Sequence, residues 1–153
     1  MSRRRRPTAP APSPSSAPSS SPSPSPAAPE ACPCGLPARY AECCGRLHRG
    51  EAQAATAELL MRSRFSAFTV HDEAYLLRSW APETRPAEVD FDPELRWERL
   101  EVLGATEGGA FHTEGTVEFR AHYRVGREAG ALRENSRFRR EAGAWVYVDG
   151  VVG

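Results

Sequence analysis

Four cysteines provide the most readily interpreted chemistry in this sequence of 153 residues. They lie as Cys32-Pro33-Cys34 and Cys43-Cys44, so every cysteine of the chain falls within thirteen residues. Thiolates are soft ligands, and four of them match the closed tetrahedral coordination that Zn²⁺ adopts in structural sites. The spacing therefore predicts one structural zinc ion per chain, held by Cys32, Cys34, Cys43 and Cys44.

Other interpretations of these cysteines stay open. Disulfides need an oxidising compartment, whereas the sequence carries no recognisable export signal and we expect it in the reducing cytoplasm. Bridges between the two pairs are still geometrically open, because only a bridge within one pair forms a strained small ring. Ordinary buried thiols are a further alternative. His48, four residues after Cys44, is an alternative fourth ligand, although an exposed histidine is the simpler interpretation.

A zinc ion held by four thiolates carries net negative charge, so donors and cations are expected around it. Gly35 and Gly45 follow the two cysteine pairs and can turn backbone N–H groups toward sulfur. Arg39, Arg46 and Arg49 can supply positive charge.

The motifs around these cysteines resemble those of a known family. CPCG and YAECCG resemble the SEC-C zinc motif, and the continuation CCGRLHRGEAQAATAELLMRSRFSAF, with TEGTVEFRAHYR and WVYVDG downstream, resembles the YchJ-like family. The resemblance covers about residues 31–150 and implies zinc at the four cysteines followed by a domain of the nuclear transport factor 2-like class. Leu36-Pro37-Ala38 stand where SEC-C motifs usually have Ser-Gly-Lys, which affects a polar partner contact rather than metal ligation.

Composition divides the chain into three parts. Residues 1–30 hold nine of the fourteen prolines and nine serines, and we predict a disordered Pro/Ser/Ala-rich leader there. Residues 31–50 form the predicted zinc-binding motif, and residues 51–153 form the predicted folded domain. The 20 basic and 20 acidic residues cancel, and no stretch reaches the ~20 apolar residues of a membrane-spanning helix, so charge and hydropathy favour neither nucleic acid nor a membrane.

Apolar spacing predicts helices followed by strands. Thr56 can cap a helix that continues to about Val70, and Asp72 can cap a second helix that Pro82 ends. After a loop at 86–93, alternation with a period of two predicts strands at 97–103, 113–125, 131–140 and 145–148, with a hairpin loop at 126–130. We therefore predict an α+β fold with helices packed on a curved antiparallel sheet, in agreement with the cone shape that the resemblance implies.

Strand register places polar residues on the apolar face of this sheet. If Phe119 and its alternate neighbours face the core, the next strand presents Glu134 and Ser136 on the same side. A buried carboxylate needs a partner, and Arg64 on the apolar stripe of the first helix is the natural counter-ion. The last strand can add Tyr147 and a second carboxylate. The predicted pocket is therefore built from Arg64, Trp80 as a wall, Glu134, Ser136, Tyr147 and Asp149.

The same residues allow a structural interpretation as an ion pair at the sheet edge or a polar network in the core. No catalytic residue is assigned, and whether the protein is an enzyme is left open. His71, His112 and His122 are too scattered for metal ligation, and the arginines of 133–140 are interrupted by Glu134 and indicate a solvated face.

Three hypotheses for function follow. The first is a binding or adaptor module that contacts a protein through the zinc knuckle. The second is a small-molecule binder, or an isomerase- or dehydratase-like enzyme with Glu134 or Asp149 as general base. The third, which the neutral charge does not favour, is a zinc module associated with nucleic acid or the ribosome.

Overall fold

The computed structural model describes residues 29–153, so the predicted leader falls outside it except for residues 29 and 30. A short 3-10 turn at Tyr40–Glu42 precedes three helices and four strands. The helices are α1 (Cys44–His48), α2 (Ala57–Val70) and α3 (Glu73–Arg78), and the strands are β1 (Leu95–Glu107), β2 (Glu114–Val125), β3 (Glu128–Glu141) and β4 (Ala144–Val152). None of the described helices has the length and hydropathy needed to cross a bilayer.

Helices α2 and α3 begin at the caps that the sequence predicts. The Thr56 side chain accepts a hydrogen bond from Leu59 N at 3.1 Å, and the Asp72 carboxylate accepts one from Tyr75 N at 3.0 Å. These side chains satisfy N–H groups that the first turn of a helix leaves without partners. Helix α2 ends at Val70 as predicted.

The predicted end of α3 is wrong, because the helix stops at Arg78 rather than at Pro82. After Arg78 the chain leaves the helix to pair with the edge of β4. Ala81 N donates to Tyr147 O at 2.8 Å, and Tyr147 N donates to Ser79 O at 2.9 Å. Tertiary pairing with the sheet therefore ends this helix before proline can.

The strands form one antiparallel sheet in the order β1-β2-β3-β4, so the α+β prediction is confirmed. The predicted hairpin loop at 126–130 is too wide, because pairing of β2 with β3 continues to Val125 and Glu128. The turn between β3 and β4 also has two residues, Ala142 and Gly143, with φ angles of 52° and 89°. Positive φ at both positions matches the right-handed twist of the flanking strands.

Helix α2 packs across one face of the sheet and closes the main core. The predicted register is confirmed: Phe119 of β2 lies opposite Glu134 of β3, and Val117 lies opposite Ser136. The apolar side of α2 therefore meets the same sheet face as these polar residues. The fully packed part of this core consists of Ala57, Leu60, Met61, Phe65, Leu100, Val117, Ala121, Phe138 and Trp145.

Candidate functional site

The four cysteine sulfurs lie together in one cluster. Every pair among the Sγ atoms of Cys32, Cys34, Cys43 and Cys44 is within 4.8 Å, and Cys34 and Cys43 are 3.7 Å apart. A tetrahedral zinc ion with bonds of ~2.3 Å to sulfur has edges of about 3.8 Å between sulfurs. The cluster could therefore hold a metal ion with little movement, and the described cysteines form no disulfide.

Short-range backbone contacts bring the two cysteine pairs together. Gly35 adopts φ +93°, which reverses the chain, and Cys32 N then donates to Ala38 O at 3.0 Å. The 3-10 turn leads directly into Cys43, and Cys44 is the first residue of α1. The loop and the helix start therefore present their sulfurs to a common centre.

The crowded thiols perturb one another strongly. Hydrogen bonds from Cys34 and Cys44 lower the pKa of Cys32, whereas the hydrogen bond that Cys34 makes with Cys32 raises the pKa of Cys34 to about 12. The pKa of Cys44 is raised by its hydrogen bonds to the same two sulfurs and then by burial. Cys32 is thus favoured as a thiolate, while Cys34 and Cys44 are favoured as neutral thiols. A divalent cation would allow all four sulfurs to ionise.

The groups that surround the sulfurs differ from those predicted. Leu36 N, rather than Gly35 N or Gly45 N, donates to Cys34 Sγ at 3.5 Å, and Gly35 N donates to the Cys32 carbonyl instead. Gly45 is required for another reason, because a Cβ there would lie 2.6 Å from the Tyr40 carbonyl oxygen. The sequence did not indicate how close this approach is.

The predicted arginines are mostly engaged elsewhere. Arg39 lies 3.7 Å from Glu30, and Arg49 pairs with Glu51 at 2.8 Å, both at the exposed surface. Arg46 is exposed beside a groove that Cys43 and Cys44 also line. None of these three side chains is recorded bonding to sulfur among the described residues.

Two polar residues of α2, neither of which was predicted near the sulfurs, contact the cysteine cluster instead. The buried Ser66 hydroxyl lies 3.6 Å from Cys32 Sγ and also lowers the pKa of Cys44. Arg62 donates to the Cys34 carbonyl at 2.6 Å. Their spacing of four residues places both on one face of the helix, and this polar pair was the available signal.

His48 is neither a metal ligand nor an exposed residue, so both interpretations from the sequence are wrong. Its side chain is buried; Nε2 lies 2.9 Å from the Ser63 carbonyl and Nδ1 lies 2.6 Å from the Tyr40 hydroxyl. Burial lowers the pKa of His48, although Asp72, 3.8 Å away, opposes this. The histidine therefore fastens α1 and the 3-10 turn to α2 as a neutral hydrogen-bonding group.

A second candidate site is a cavity of about 260 Å³ between α2 and the sheet. Five of the six predicted pocket residues line it. Eight aromatic and aliphatic side chains also line the cavity, and none of these eight was predicted as pocket lining. The lining consists of Arg64, Trp80, Glu134, Ser136 and Tyr147 with Met61, Phe65, Phe68, Trp97, Phe119, Ala121, Leu132 and Phe138.

Arg64 is the buried cation of this cavity, with 6% of its surface exposed. Its Nη1 donates to Leu76 O at 3.0 Å and to Ser79 Oγ at 2.7 Å. The rings of Trp80 and Tyr147 each lie 4.6 Å from its Cζ, and their centroids are 5.4 Å apart, so two adjoining π systems contact the guanidinium. Burial lowers the pKa of Arg64 to about 10, which leaves the side chain protonated at neutral pH.

Glu134 is the acidic end of the cavity. Its Oε2 accepts hydrogen bonds from Ser136 Oγ at 2.7 Å and from Tyr147 OH at 2.9 Å. Burial, followed by the negative charge of Glu134, raises the pKa of Tyr147 and keeps its hydroxyl protonated as a donor. The predicted direct ion pair with Arg64 does not form, since no nitrogen–oxygen pair of the two residues lies within 4.0 Å.

Asp149 lies outside the cavity, so its predicted place there is wrong. Its carboxylate makes two hydrogen bonds of 2.7 Å with Arg137 on the outer face of the sheet. The register shifts between Arg137 and Phe138, which lie opposite Asp149 and Tyr147 respectively. This bulge adds one residue to β4, so Tyr147 faces inward and Asp149 faces outward.

The other histidines form no metal site, and several arginines of the sheet form ion pairs. His122 Nε2 lies 3.0 Å from Glu101, and His71 stacks on Phe91. Within residues 29–153 the four cysteines are the only group of three or more metal-ligating side chains. On the outer sheet face four arginines are paired with carboxylates: Arg124 with Glu98, Arg133 with Glu118, Arg137 with Asp149, and Arg139 with Glu83 and Glu141.

Comparisons with known proteins agree with the architecture. A UPF0225 protein of Streptomyces avermitilis is 66% identical over 122 residues, which cover 80% of this chain and 84% of that protein. A UPF0225 protein of Streptomyces coelicolor is 58% identical and covers 78% of this chain and 93% of its own.

Two solved structures have the same fold. The SEC-C motif containing protein of Rhodopseudomonas palustris is 36% identical with a TM-score of 0.70, over 80% of this chain and 98% of that one. A SEC-C motif containing protein of Psychrobacter arcticus is 28% identical with a TM-score of 0.65, over 80% and 82%. Residues 56–150 match the family described as YchJ, middle NTF2-like domain. The chain therefore belongs to the YchJ family, with a SEC-C-like cysteine cluster before an α+β domain of the nuclear transport factor 2-like class.

Proposed function

We propose that this protein binds one zinc ion per chain at Cys32, Cys34, Cys43 and Cys44, and that the ion has a structural role. The observation that supports this is the cluster of four Sγ atoms within 4.8 Å of one another. Two solved relatives named as SEC-C motif containing proteins place the same kind of motif in the same fold. Four protein ligands leave no open coordination position for a substrate, so the ion would organise the knuckle rather than perform a reaction.

A thiolate site of this kind requires reduced cysteines, which is why we place the protein in the cytoplasm. The binding free energy of zinc would replace the hydrophobic core that about twenty residues cannot form alone. We expect chelation to release the knuckle, while the sheet and its core stay folded.

Elemental analysis of the protein purified under reducing conditions tests the proposal. We expect about one zinc per chain, reduced by Cys43→Ser, whereas Glu42→Gln at the neighbouring exposed position leaves the metal content unchanged. Hydrogen exchange after chelation should rise in residues 31–50 first. Zinc-free protein with four reactive thiols, or a stoichiometric metal other than zinc, would contradict the proposal.

We also propose that the cavity of the cone domain binds a small molecule. The observation that favours this is the buried Arg64 side chain beside Glu134, Ser136 and Tyr147 at one end of an otherwise apolar cavity. A few polar groups converging in an apolar pocket are typical of ligand sites. In an enzyme of isomerase or dehydratase type, Glu134 is the general base that this geometry offers.

A fragment library screened by NMR tests whether the cavity binds any ligand. Leu132→Trp places a larger side chain in the cavity, and Val151→Trp on the exposed edge is the matched control. We expect hits whose chemical-shift changes map to the cavity and disappear in Leu132→Trp only. Hits that survive this substitution, or the absence of hits, would contradict the proposal.

We propose that the zinc knuckle, residues 31–50, contacts another protein. A groove of about 200 Å³ runs beside Cys43 and Cys44 and is lined by Leu36, Leu47 and Leu59, with exposed Arg46 at its side. Among residues 29–153 no carboxylate forms an ion pair with Arg46, so this apolar groove suits a segment that carries leucine-like and acidic side chains. Capture of such a partner by the wild type and by Arg39→Glu, but not by Arg46→Glu, is the expected result. Equal capture by both variants would contradict it.

A further inference from the structure

The guanidinium of Arg64 has an unused binding edge. Arginine offers five N–H donors, and the two on Nη1 are taken by Leu76 O and Ser79 Oγ. Within residues 29–153 no acceptor is recorded for Nε or Nη2. The remaining donors are the N–H groups of Nε and Nη2, which lie along one edge of the guanidinium. That edge is the one that binds a carboxylate with two parallel hydrogen bonds.

This cation also lacks a direct counter-ion. Only 6% of Arg64 is exposed, and no carboxylate of the described residues lies within 4.0 Å of its nitrogens. A buried charge without a partner costs several kcal/mol. A carboxylate brought by a ligand would supply both the missing charge and the missing acceptors.

Glu134, the acidic group of the cavity, imposes a second requirement on the ligand. Glu134 uses Oε2 to accept from Ser136 and Tyr147, while Oε1 has no recorded donor within residues 29–153. Tyr147 connects the two ends, because its ring lies under Arg64 and its hydroxyl bonds Glu134. An anion without a hydrogen-bond donor, such as acetate, would be repelled by this carboxylate.

The rest of the cavity sets the size and polarity of the ligand. Its volume of about 260 Å³ lies just below the ~300–1,000 Å³ range of most ligand sites. Phe65, Phe68, Trp97 and Phe119 provide an apolar aromatic wall away from the polar end. A small molecule with a short apolar side chain fits this space.

We propose that the cavity binds a small carboxylic acid that also carries an amino or hydroxyl group beside the carboxylate, with an apolar side chain. The carboxylate pairs with the Nε–Nη2 edge of Arg64, and the amino or hydroxyl group donates to Oε1 of Glu134. This inference rests on the proposed small-molecule function of the cavity and names its ligand class.

Two series of probes test the requirement for each group. Leucine and leucic acid carry both groups, isocaproic acid lacks the donor, and isoamylamine lacks the carboxylate; phenylalanine, phenyllactic acid, hydrocinnamic acid and phenethylamine repeat the series with a larger side chain. NMR titration of the zinc-loaded full chain gives each dissociation constant. We expect at least one probe with both groups to bind about 10- to 150-fold more tightly than its single-group analogues, the effect of one lost charge-assisted hydrogen bond.

Variants separate the two polar contacts. Glu134→Gln keeps the shape of the side chain but removes its charge, so amino acids should lose more affinity than hydroxy acids. Arg64→Lys keeps a cation but removes the two-donor edge, so all carboxylates should weaken. Asp149→Asn on the outer face is the control and should bind as the wild type. If Arg64→Lys does not fold, Glu134→Gln serves as the test variant. Its fold should be retained, because Ser136 and Tyr147 can still donate to the side-chain oxygen at position 134.

Each outcome bears on the proposal. Equal binding of isocaproic acid and leucic acid overturns the role of Glu134, and equal binding of isoamylamine and leucine overturns that of Arg64. If fragments of other chemistry bind in the cavity while none of the eight probes does, this ligand class is wrong and the small-molecule function stands. If neither probes nor fragments bind there, both are wrong.

Discussion

Replacing Gly45 by alanine should weaken zinc binding without disturbing the sheet. A Cβ at this position would lie 2.6 Å from the Tyr40 carbonyl oxygen, about 0.8 Å closer than the 3.4 Å at which ordinary contact begins. The carbonyl cannot easily retreat, because it accepts a hydrogen bond from Cys43 N at 3.0 Å. The tyrosine side chain is also held, with its hydroxyl 2.6 Å from His48 Nδ1.

The expected magnitude follows from this overlap. Forcing an extra carbon into well-packed surroundings costs roughly 1–3 kcal/mol. The strain falls between the 3-10 turn and α1, so relieving it displaces Cys43 or Cys44 from the common centre. If this strain energy raises the free energy of the zinc-bound state alone, zinc affinity falls by about 5- to 150-fold.

Competition with a chromophoric zinc chelator measures this change, and Gly104→Ala is the control, because a Cβ at that position meets nothing within 4 Å. We expect Gly104→Ala to bind zinc as tightly as the wild type. The temperature at which the sheet unfolds should be similar in Gly45→Ala and Gly104→Ala. Wild-type zinc affinity in Gly45→Ala would refute the prediction, because the close approach of α1 to the Tyr40 carbonyl would then not position the sulfurs.

Three further predictions address the groups around the two sites. Ser66→Ala removes the hydroxyl beside Cys32 Sγ and should lower zinc affinity by about tenfold, measured by the same competition. Burial lowers the pKa of His48 below 6.5, so the folded state prefers the neutral ring; its stabilising contribution is complete above that pH and is lost as pH falls through the folded pKa. Urea unfolding of His48→Gln should accordingly show a weaker loss of stability than the wild type between about pH 7 and 5. Gly150→Ala would place a Cβ where the Glu134 carboxylate lies, and the loss of two hydrogen bonds should destabilise the domain by about 1–2 kcal/mol in urea.

Ser66→Ala and Gly150→Ala each have a control variant, and His48→Gln is compared with the wild type. Thr69→Ala removes another hydroxyl of α2, one that bonds the Phe65 carbonyl, and should not affect zinc affinity. Gly153→Ala adds a Cβ in open space and should leave urea stability unchanged. Unchanged zinc affinity in Ser66→Ala would assign that serine a packing role. Parallel profiles of stability against pH for the wild type and His48→Gln would contradict the neutral state of the histidine. A Gly150→Ala variant as stable as the wild type would mean that the Glu134 side chain can relocate freely.

Local patterns in the sequence predicted much of the fold. The caps at Thr56 and Asp72 act within three residues, and alternation along β2 and β3 follows from the pleat, so both could be read from neighbouring positions. The inward positions of Glu134 and Ser136 followed from the same alternation. Arg64 was predicted to face them because it lies on the apolar stripe of α2.

Features that depend on contacts between distant segments could not be predicted. The end of α3 depends on pairing with β4, and the outward position of Asp149 depends on one bulge in that strand. His48 is buried because Tyr40 and Ser63 approach it from other elements. No local periodicity records such contacts.

The amino-acid sequence by itself determined which four cysteines form the cluster, the order of helices and strands, and the face on which each strand residue lies up to the first irregularity. Ligand type and side-chain alternation are local properties, so they can be read in one dimension. Only the tertiary structure decided which groups approach the sulfurs, that Arg64 and Glu134 share a cavity without forming a direct ion pair, and that Asp149 lies outside it. These outcomes depend on how α2 packs between the knuckle and the sheet, because distances between residues far apart in the chain are set by packing.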